Sequence, residues 1–489
     1  MEVNDFFAGI MPPYVPTVLL VLNILLAMAI VFLERRNITA TWAWVMILGF
    51  IPIVGFILYL IFGQNLSKRK IFTWDKKSKE YIKKIVANQR ELLQLHMFDF
   101  HNPINKKHQH LIAMLLNNDR AIFTQDNEVD LFIDGREKFD SLFQDLEKAK
   151  HHIHMLYYIL RSDELGTKLG NLLIKKAKEG VKIRLLYDDM GSRGLSRKLV
   201  KSIRAAGGEV EAFFPSRFPL VNLRLNYRNH RKLVIIDGSI GYIGGFNVGD
   251  EYLGLNEKFG YWRDTHLRVK GEAVHHIQSR FILDWNQASK HDISFKGHYY
   301  PPVSPRGDVG VQIVSSGPDS QWEQIKNGYI KLILSAERYI YIQTPYFIPD
   351  DSLLDALRIA ALSGVKVKIM IPDKPDHPFV YWATYSYIGE LLKAGADVYI
   401  YENGFLHAKT IVIDDEIASV GTANIDVRSF RLNFEVNAFL YHYKTAMKLA
   451  AIFEDDMLKS KKLTREIYDQ RSYYIRFKES ISRLLSPIL

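Results

Sequence analysis

The chain has 489 residues, 48% hydrophobic and 24% charged, enough for two or three folded domains and too apolar for a disordered polymer. It contains no cysteine, which excludes disulfides, thiolate catalysis and Cys-ligated metals. A net charge of +10 favours an anionic partner, nucleic acid or an acidic membrane surface, without choosing between them.

The N-terminus makes that choice. Residues 15–33 are almost uninterruptedly apolar, and 42–62 form a second such run. Each is about the ~20 residues a helix needs to cross a bilayer. A cleaved signal peptide fits poorly, because Glu2 and Asp5 stand where a basic segment belongs. The expectation is a transmembrane hairpin over 1–66 in a cell membrane, with nucleic acid not expected as a partner. Lys68, Arg69, Lys70, Lys76, Lys77 and Lys79 after the second run favour a cytoplasmic body. Arg35 and Arg36 in the short loop argue for the opposite orientation. The basic cluster also suits acidic headgroups, at roughly 1 kcal/mol per residue near the surface.

A polar, helix-prone connector is expected over 67–120, followed by two similar halves, 121–300 and 301–489. In the first, 152–159 reads as a strand, 167–178 as a helix and 180–187 as a strand. A helix then ends at Ala206-Gly207-Gly208, and 209–214 is a strand. The second half repeats the order with strands at 338–343, 364–370 and 397–401, a helix at 352–362, and another ending near Gly395. Strands alternating with helices imply α/β layers with helices on both sheet faces. Gly180 and Gly364 sit where helix C-caps belong. The long period excludes a solenoid and implies a duplicated domain with a pseudo-two-fold axis. The stretch 473–485 mixes aromatic, aliphatic and basic residues; a helix packed on the core is favoured over one at a membrane surface.

Each half carries one motif. The first runs His230-Arg231-Lys232, Asp237, then Gly244-Gly245-Phe246-Asn247; the second runs His407-Ala408-Lys409, Asp414, then Gly421-Thr422-Ala423-Asn424. Residues two apart in a strand share a face, so each half offers an imidazole and an ammonium together. The residues after each lysine are mostly β-branched and apolar, as in a buried strand. Two ammoniums and two carboxamides suit the non-bridging oxygens of a phosphodiester. Two imidazoles can divide covalent attack on phosphorus from protonation of the leaving alkoxide. No acidic cluster beside them is built for Mg²⁺ or Ca²⁺, so no metal or other cofactor is required.

The repeated pattern resembles the phospholipase D superfamily over roughly 120–440. The phrases at 244–252, 261–266, 315–318, 343–347 and 428–435, with the N-terminal spans, resemble bacterial cardiolipin synthases. The resemblance implies two phospholipase D-type α/β/α sandwich halves. It also implies a ping-pong transfer in which two phosphatidylglycerol molecules yield cardiolipin and glycerol. His230, Lys232, Asp237, His407, Lys409 and Asp414 form the catalytic motifs. By analogy His230 is the nucleophile and His407 the general acid/base, although the pseudo-symmetry leaves the assignment open. Asn247 and Asn424, with the lysines, would hold the phosphate. Asp237 and Asp414, past the strand ends, are expected to brace the fold. The resemblance also implies a downstream carboxylate orienting each histidine. Glu435 matches; at the same offset the first half has Lys258, so Asp264 is preferred over Glu251. Asp188-Asp189 is read as a turn in preference to lining the site. His151, His152 and His154 are read as strand edge or surface in preference to a metal cluster. Tyr346, Phe347, Tyr381 and Trp382 either cover an acyl entrance or fill core.

Overall fold

The computed structural model describes residues 14–33, 38–50, 55, 59, 71–215, 226–295, 297–304, 307–374 and 376–486. It divides into two units, one formed by residues 1–69 with 216–227 and the other by 70–215 with 228–489.

In the first unit, α1 (Tyr14–Leu33) and α2 (Ile38–Phe50) follow the two apolar runs. They meet through Leu26, Ala27, Trp44, Leu48 and Tyr59, and turn Val18, Leu22, Leu25 and Met46 outward. Among the described residues, no helix is long and apolar enough to cross a membrane. Several side chains of α1 and most of the second run after Phe50 lie outside that set.

The second unit opens with α3 (Lys76–Gln94) and α4 (Gln109–Asp119). Leu111, Ile112, Leu115 and Leu116 of α4 are buried in the core of the second half. The first half then runs β1 (Phe123–Phe132), α5 (Gly135–Glu147), β2 (His152–Tyr157), α6 (Glu164–Lys178), β3 (Lys182–Asp188), α7 (Arg197–Ala205), β4 (Glu209–Phe213), β5 (Arg228–Asn229), β6 (Leu233–Ile236), β7 (Ile240–Gly244), β8 (Trp262–Arg263), β9 (His266–Lys270) and α8 (Ala273–Ala288). The second runs β10 (Val309–Ser316), α9 (Gln324–Ile333), β11 (Tyr339–Gln343), β12 (Phe347–Ile348), α10 (Asp351–Leu362), β13 (Lys366–Pro372), α11 (Pro378–Lys393), β14 (Asp397–Tyr401), β15 (Phe405–Leu406), β16 (Thr410–Ile413), β17 (Ile417–Gly421), β18 (Ile425–Asp426), β19 (Asn433–Tyr441), α12 (Tyr443–Met457), β20 (Ser460–Leu463) and α13 (Tyr473–Leu484).

The expected glycine caps are present. Gly180 and Gly364 have φ of +90° and +92°, and the next residues donate back to Lys176 and Ala360, closing the helix ends. In each half three strands are parallel, β2-β3-β4 and β11-β13-β14, and the motif strands β6 and β16 join antiparallel to β2 and β11. The two sheets do not stand apart. β1 pairs with β9 along its second part and with β10 along its first, across a register shift between Thr124 and Asn127. One sheet of 16 strands therefore runs through both halves.

Alternation along β2 shows how its faces are covered. Ile153, Met155 and Tyr157 join the core formed with α5, α6 and α7. His152 and His154 point the other way, and His154 stacks on Phe281 of α8 with ring centroids 4.7 Å apart. In the second half Ile340 and Ile342 face the core shared with α9, α10 and α11, while Tyr341 stacks on Phe453 of α12. His152 and His154 are thus a buried polar layer under α8, on a strand flanked by β3 and β6, and not the strand edge or surface expected of them. Gln278 bonds both His152 and His154, at 3.0 and 2.9 Å. No group able to hold a metal ion occurs among the described residues.

The C-terminal segment differs from expectation. α13 packs on α11, but it buries Glu479 and Ser482 and exposes Tyr473, Tyr474, Phe477, Ile481 and Leu484. The inward side carries ion pairs beside the half-buried Ile475 and Leu485: Arg471, just before the helix, grips Glu479 at 2.7 Å, and Arg483 reaches Glu390 of α11 at 3.2 Å.

Candidate active site

His230 and Lys232 immediately precede β6, and His407 and Lys409 precede β16. Both pairs lie just beyond the carboxyl ends of the parallel strands, where open α/β sheets gather their ligands. All four residues are buried.

The halves are brought together by an exchange of strands. β5, leading into His230, pairs in parallel with the start of β19, and β15, leading into His407, pairs in parallel with β8. The His230 amide donates to Phe434 at 2.9 Å and the His407 amide to Arg263 at 2.7 Å. The next residue of each partner strand is a carboxylate. His230 Nδ1 lies 2.9 and 3.0 Å from the two oxygens of Glu435, and His407 Nδ1 lies 2.6 Å from Asp264 Oδ2. Each imidazole is therefore oriented by the opposite half. A carboxylate at Nδ1 fixes the tautomer and leaves Nε2 for chemistry. Glu251, the other candidate, is ion-paired with Arg161 at 2.9 Å instead.

The Asp264/Glu435 difference has a steric basis. The shorter aspartate comes so close to Gly245 that a Cβ there would lie 1.9 Å from Oδ1. The equivalent position in the second half is Thr422, whose hydroxyl donates to Glu435 Oε2 at 2.5 Å. Asn433 adds a bond to Oε1 at 3.2 Å. The Gly-Gly and Gly-Thr versions of the motif each fit the carboxylate they face.

Burial sets the protonation states. It lowers the His230 pKa to about 4 and that of His407 to about 3, against the opposing pull of Glu435 and Asp264. Both rings are neutral near pH 7. Burial likewise lowers Lys232 to about 7 and Lys409 to about 8. Each lysine's field is felt at the opposite half's histidine, and the lysines feel one another. The four groups form one electrostatic unit ready for an anion. The lysine ammoniums are tethered by their own histidines' carbonyls, at 2.7 Å for Lys232 and 2.5 Å for Lys409.

Asp237 and Asp414 are not beside the histidines, which corrects their grouping with the catalytic residues. Each lies at the far end of its motif strand, in left-handed conformation with φ of +53° and +54°. Asp237 accepts from the amides of Lys150, His151 and His152, and Asp414 from those of Glu337, Arg338 and Tyr339. They cap the entrances to β2 and β11, the bracing expected of them. Asn247 is also largely engaged: its carbonyl accepts from Ile159 at 3.0 Å and its amide donates to Tyr252 at 3.2 Å. Asn424 is bound to Asp426, and its buried Oδ1 has no partner among the described residues. Asp188 caps Met190 and Gly191 and holds the Asn229 amide at 2.9 Å, positioning β5 just before His230. Phe347 is core, and Tyr346 is half-buried with its hydroxyl on Asp376. A cavity of about 540 Å³ bounded by Phe72, Asp119, Arg280 and Gln324 contains none of the motif residues.

Two buried arginines went unanticipated. Arg231 donates to the Glu435 carbonyl at 3.1 Å and pairs with Asp284 of α8 at 2.6 Å. Arg263 donates to the Asp264 carbonyl at 2.6 Å and pairs with Asp456 of α12 at 2.8 Å. Each clamps the backbone of a histidine-orienting carboxylate. Their one sequence signal is adjacency to a motif residue; the aspartates lie on remote helices and carry none. Tyr158 packs edge-on to His230 at 4.7 Å, and Trp262 lies 5.2 Å from His407.

A family model described as cardiolipin synthase, phospholipase D-like domain, matches residues 142–285 and 329–457. A second, phospholipase D-nuclease N-terminal, matches 21–64. A cardiolipin synthase of Oceanobacillus iheyensis is 64% identical over 469 residues, covering 96% of this chain and 98% of its own. The major cardiolipin synthase of Bacillus subtilis is 63% identical over 470 residues, with the same coverage. Among solved structures, the phosphatidylserine synthase of Haemophilus influenzae aligns with a TM-score of 0.61 at 14% identity, covering 79% of this chain and all of that one, a likeness of fold. The chain belongs to the cardiolipin synthase family of phospholipase D-like proteins.

Proposed function

We propose that this protein is a membrane-bound phosphatidyltransferase that makes cardiolipin and glycerol from two phosphatidylglycerol molecules through a phosphohistidine. The observation that carries the mechanism is the crossed pairing of two buried, neutral imidazoles with carboxylates of opposite halves, beside two lysines. Family membership supports the lipid substrate.

In the first step Nε2 of one histidine attacks phosphorus as the bond to the glycerol oxygen breaks. The other imidazole, charged in the presence of the phosphate anion, gives its proton to that oxygen and glycerol leaves. In the second step this imidazole takes a proton from the glycerol hydroxyl of a second phosphatidylglycerol. That oxygen attacks phosphorus and the P–N bond breaks, restoring the enzyme. By analogy with the family His230 is taken as nucleophile and His407 as acid/base, with Asp264 at 2.6 Å facing the imidazolium when it forms. Lys232, Lys409 and Asn424 would hold the phosphoryl oxygens, with a lesser part for Asn247.

The proposed organisation is a transmembrane hairpin over 1–66, a connector over 67–120 and halves over 121–300 and 301–489, with the body on the cytoplasmic side of a bacterial cell membrane. The apolar, outward-facing side chains of α1 and α2 support the hairpin. The test is incubation of detergent-purified protein with phosphatidylglycerol alone. Cardiolipin and free glycerol in equal amounts are expected; phosphatidic acid as sole product would make the protein a hydrolase, and no turnover would contradict both.

A further inference from the structure

α13 is turned inside out. Its buried side is Glu479 and Ser482, fixed by Arg471 and Arg483. Its outward side is a stripe of Tyr473, Tyr474, Phe477, Ile481 and Leu484, with exposures of 88, 67, 63, 41 and 77%. A helix that spends ion pairs to keep its apolar residues in solvent has its apolar face reserved for something else. Lys478 lies over the Tyr474 ring at 4.3 Å and the Trp382 ring at 5.2 Å, and Arg476 flanks Tyr473. Aromatic rings mixed with basic side chains on one helix face are the chemistry of a headgroup layer. On α11, against which α13 packs, Phe379 in the first turn is half exposed as well. That turn lies on the side of the active site formed by the second motif: Asp376, just before α11, binds the hydroxyl of Tyr346, and the next residue, Phe347, pairs with Ile425 directly after Asn424.

We propose that the outward face of α13, with Phe379 and Trp382 of α11, seats the catalytic unit on an anionic phospholipid bilayer and brings the Lys409 side of the site to the lipid. This rests on the lipid-transferase reading, but its test does not require turnover. Because the chain lacks cysteine, Phe477→Cys places one environment-sensitive fluorophore on the stripe of the full-length protein. In phosphatidylglycerol-containing bilayers its emission is expected to shift to the blue and to be quenched by lipids brominated in the acyl chain. Quenching should be weaker in purely zwitterionic bilayers. Absence of quenching, or equal quenching in both bilayers, would overturn the proposal. So would a shift that follows protein density and accompanies Phe477→Cys crosslinked dimers, which would make a second copy the occupant. In a Phe477→Ser, Leu484→Ser double variant, turnover of bilayer phosphatidylglycerol should fall about tenfold, with turnover of short-chain micellar substrate unchanged. An equal fall on both substrates would assign the stripe a structural role. Wild-type protein that makes no cardiolipin from micelles would instead refute the transferase reading, leaving the fluorescence result standing.

Discussion

At the scale of single residues the site is an exercise in desolvation. The same burial that keeps both imidazoles neutral also brings the lysines down to about 7 and about 8. Between those values and the ~10.4 of an unfolded lysine, the unfolded chain carries more protons. Stability of the ligand-free protein should therefore rise with pH across that window, as far as these lysines contribute. Phosphate binding needs the ammoniums, so kcat/KM for phosphatidylglycerol should fall as pH rises through about 7 to 8, a profile readable by initial rates. Glu435→Gln and Asp264→Asn should each lower kcat by roughly 100-fold with little change in KM, because the tautomer loses its carboxylate while the lysines stay. An effect on KM alone would place the carboxylates in binding instead of histidine orientation.

At the scale of elements, the motif is a strand with chemistry at one end and a brace at the other. Asp237 and Asp414 each collect the three amides that open the neighbouring parallel strand. Asp414→Ala would take the acceptor from three part-buried amides and should cost about 1–3 kcal/mol, read as a lower denaturation midpoint. Activity in the folded fraction should persist, since the imidazoles lie at the strand's other end; loss of activity with unchanged stability would contradict the brace. The motif strands, the glycine caps at Gly180 and Gly364 and the brace itself were legible in sequence because they depend on local periodicity and backbone conformation. Asp284 and Asp456 were not, because an aspartate's partnership with a distant arginine leaves no local trace. α13 misled for a related reason: its composition shows that it is amphipathic but not which face is turned inward.

At the scale of the whole molecule, duplication has yielded one site instead of two. β1 and β10 fuse the halves into a single sheet, and the β5–β19 and β15–β8 exchanges hand each histidine a carboxylate from the other half. The resemblance pointed to Glu435 by its offset from His407, and to Asp264 only by preference over Glu251 once that offset gave Lys258; the crossing emerges only from the strand exchange. The two imidazoles differ in partner, Asp against Glu, and in neighbour, Trp262 against Tyr158. Such inequality suits one nucleophile and one acid/base. The most direct measurement is a rapid quench of the protein turning over phosphatidylglycerol labelled in its phosphate, followed by mapping of the acid-labile adduct by mass spectrometry. A single phosphatidyl group per chain on His230 is expected, retained in His407→Ala and lost in His230→Ala. Adducts on both histidines of one chain, or turnover surviving either substitution, would contradict a single site built from unequal halves.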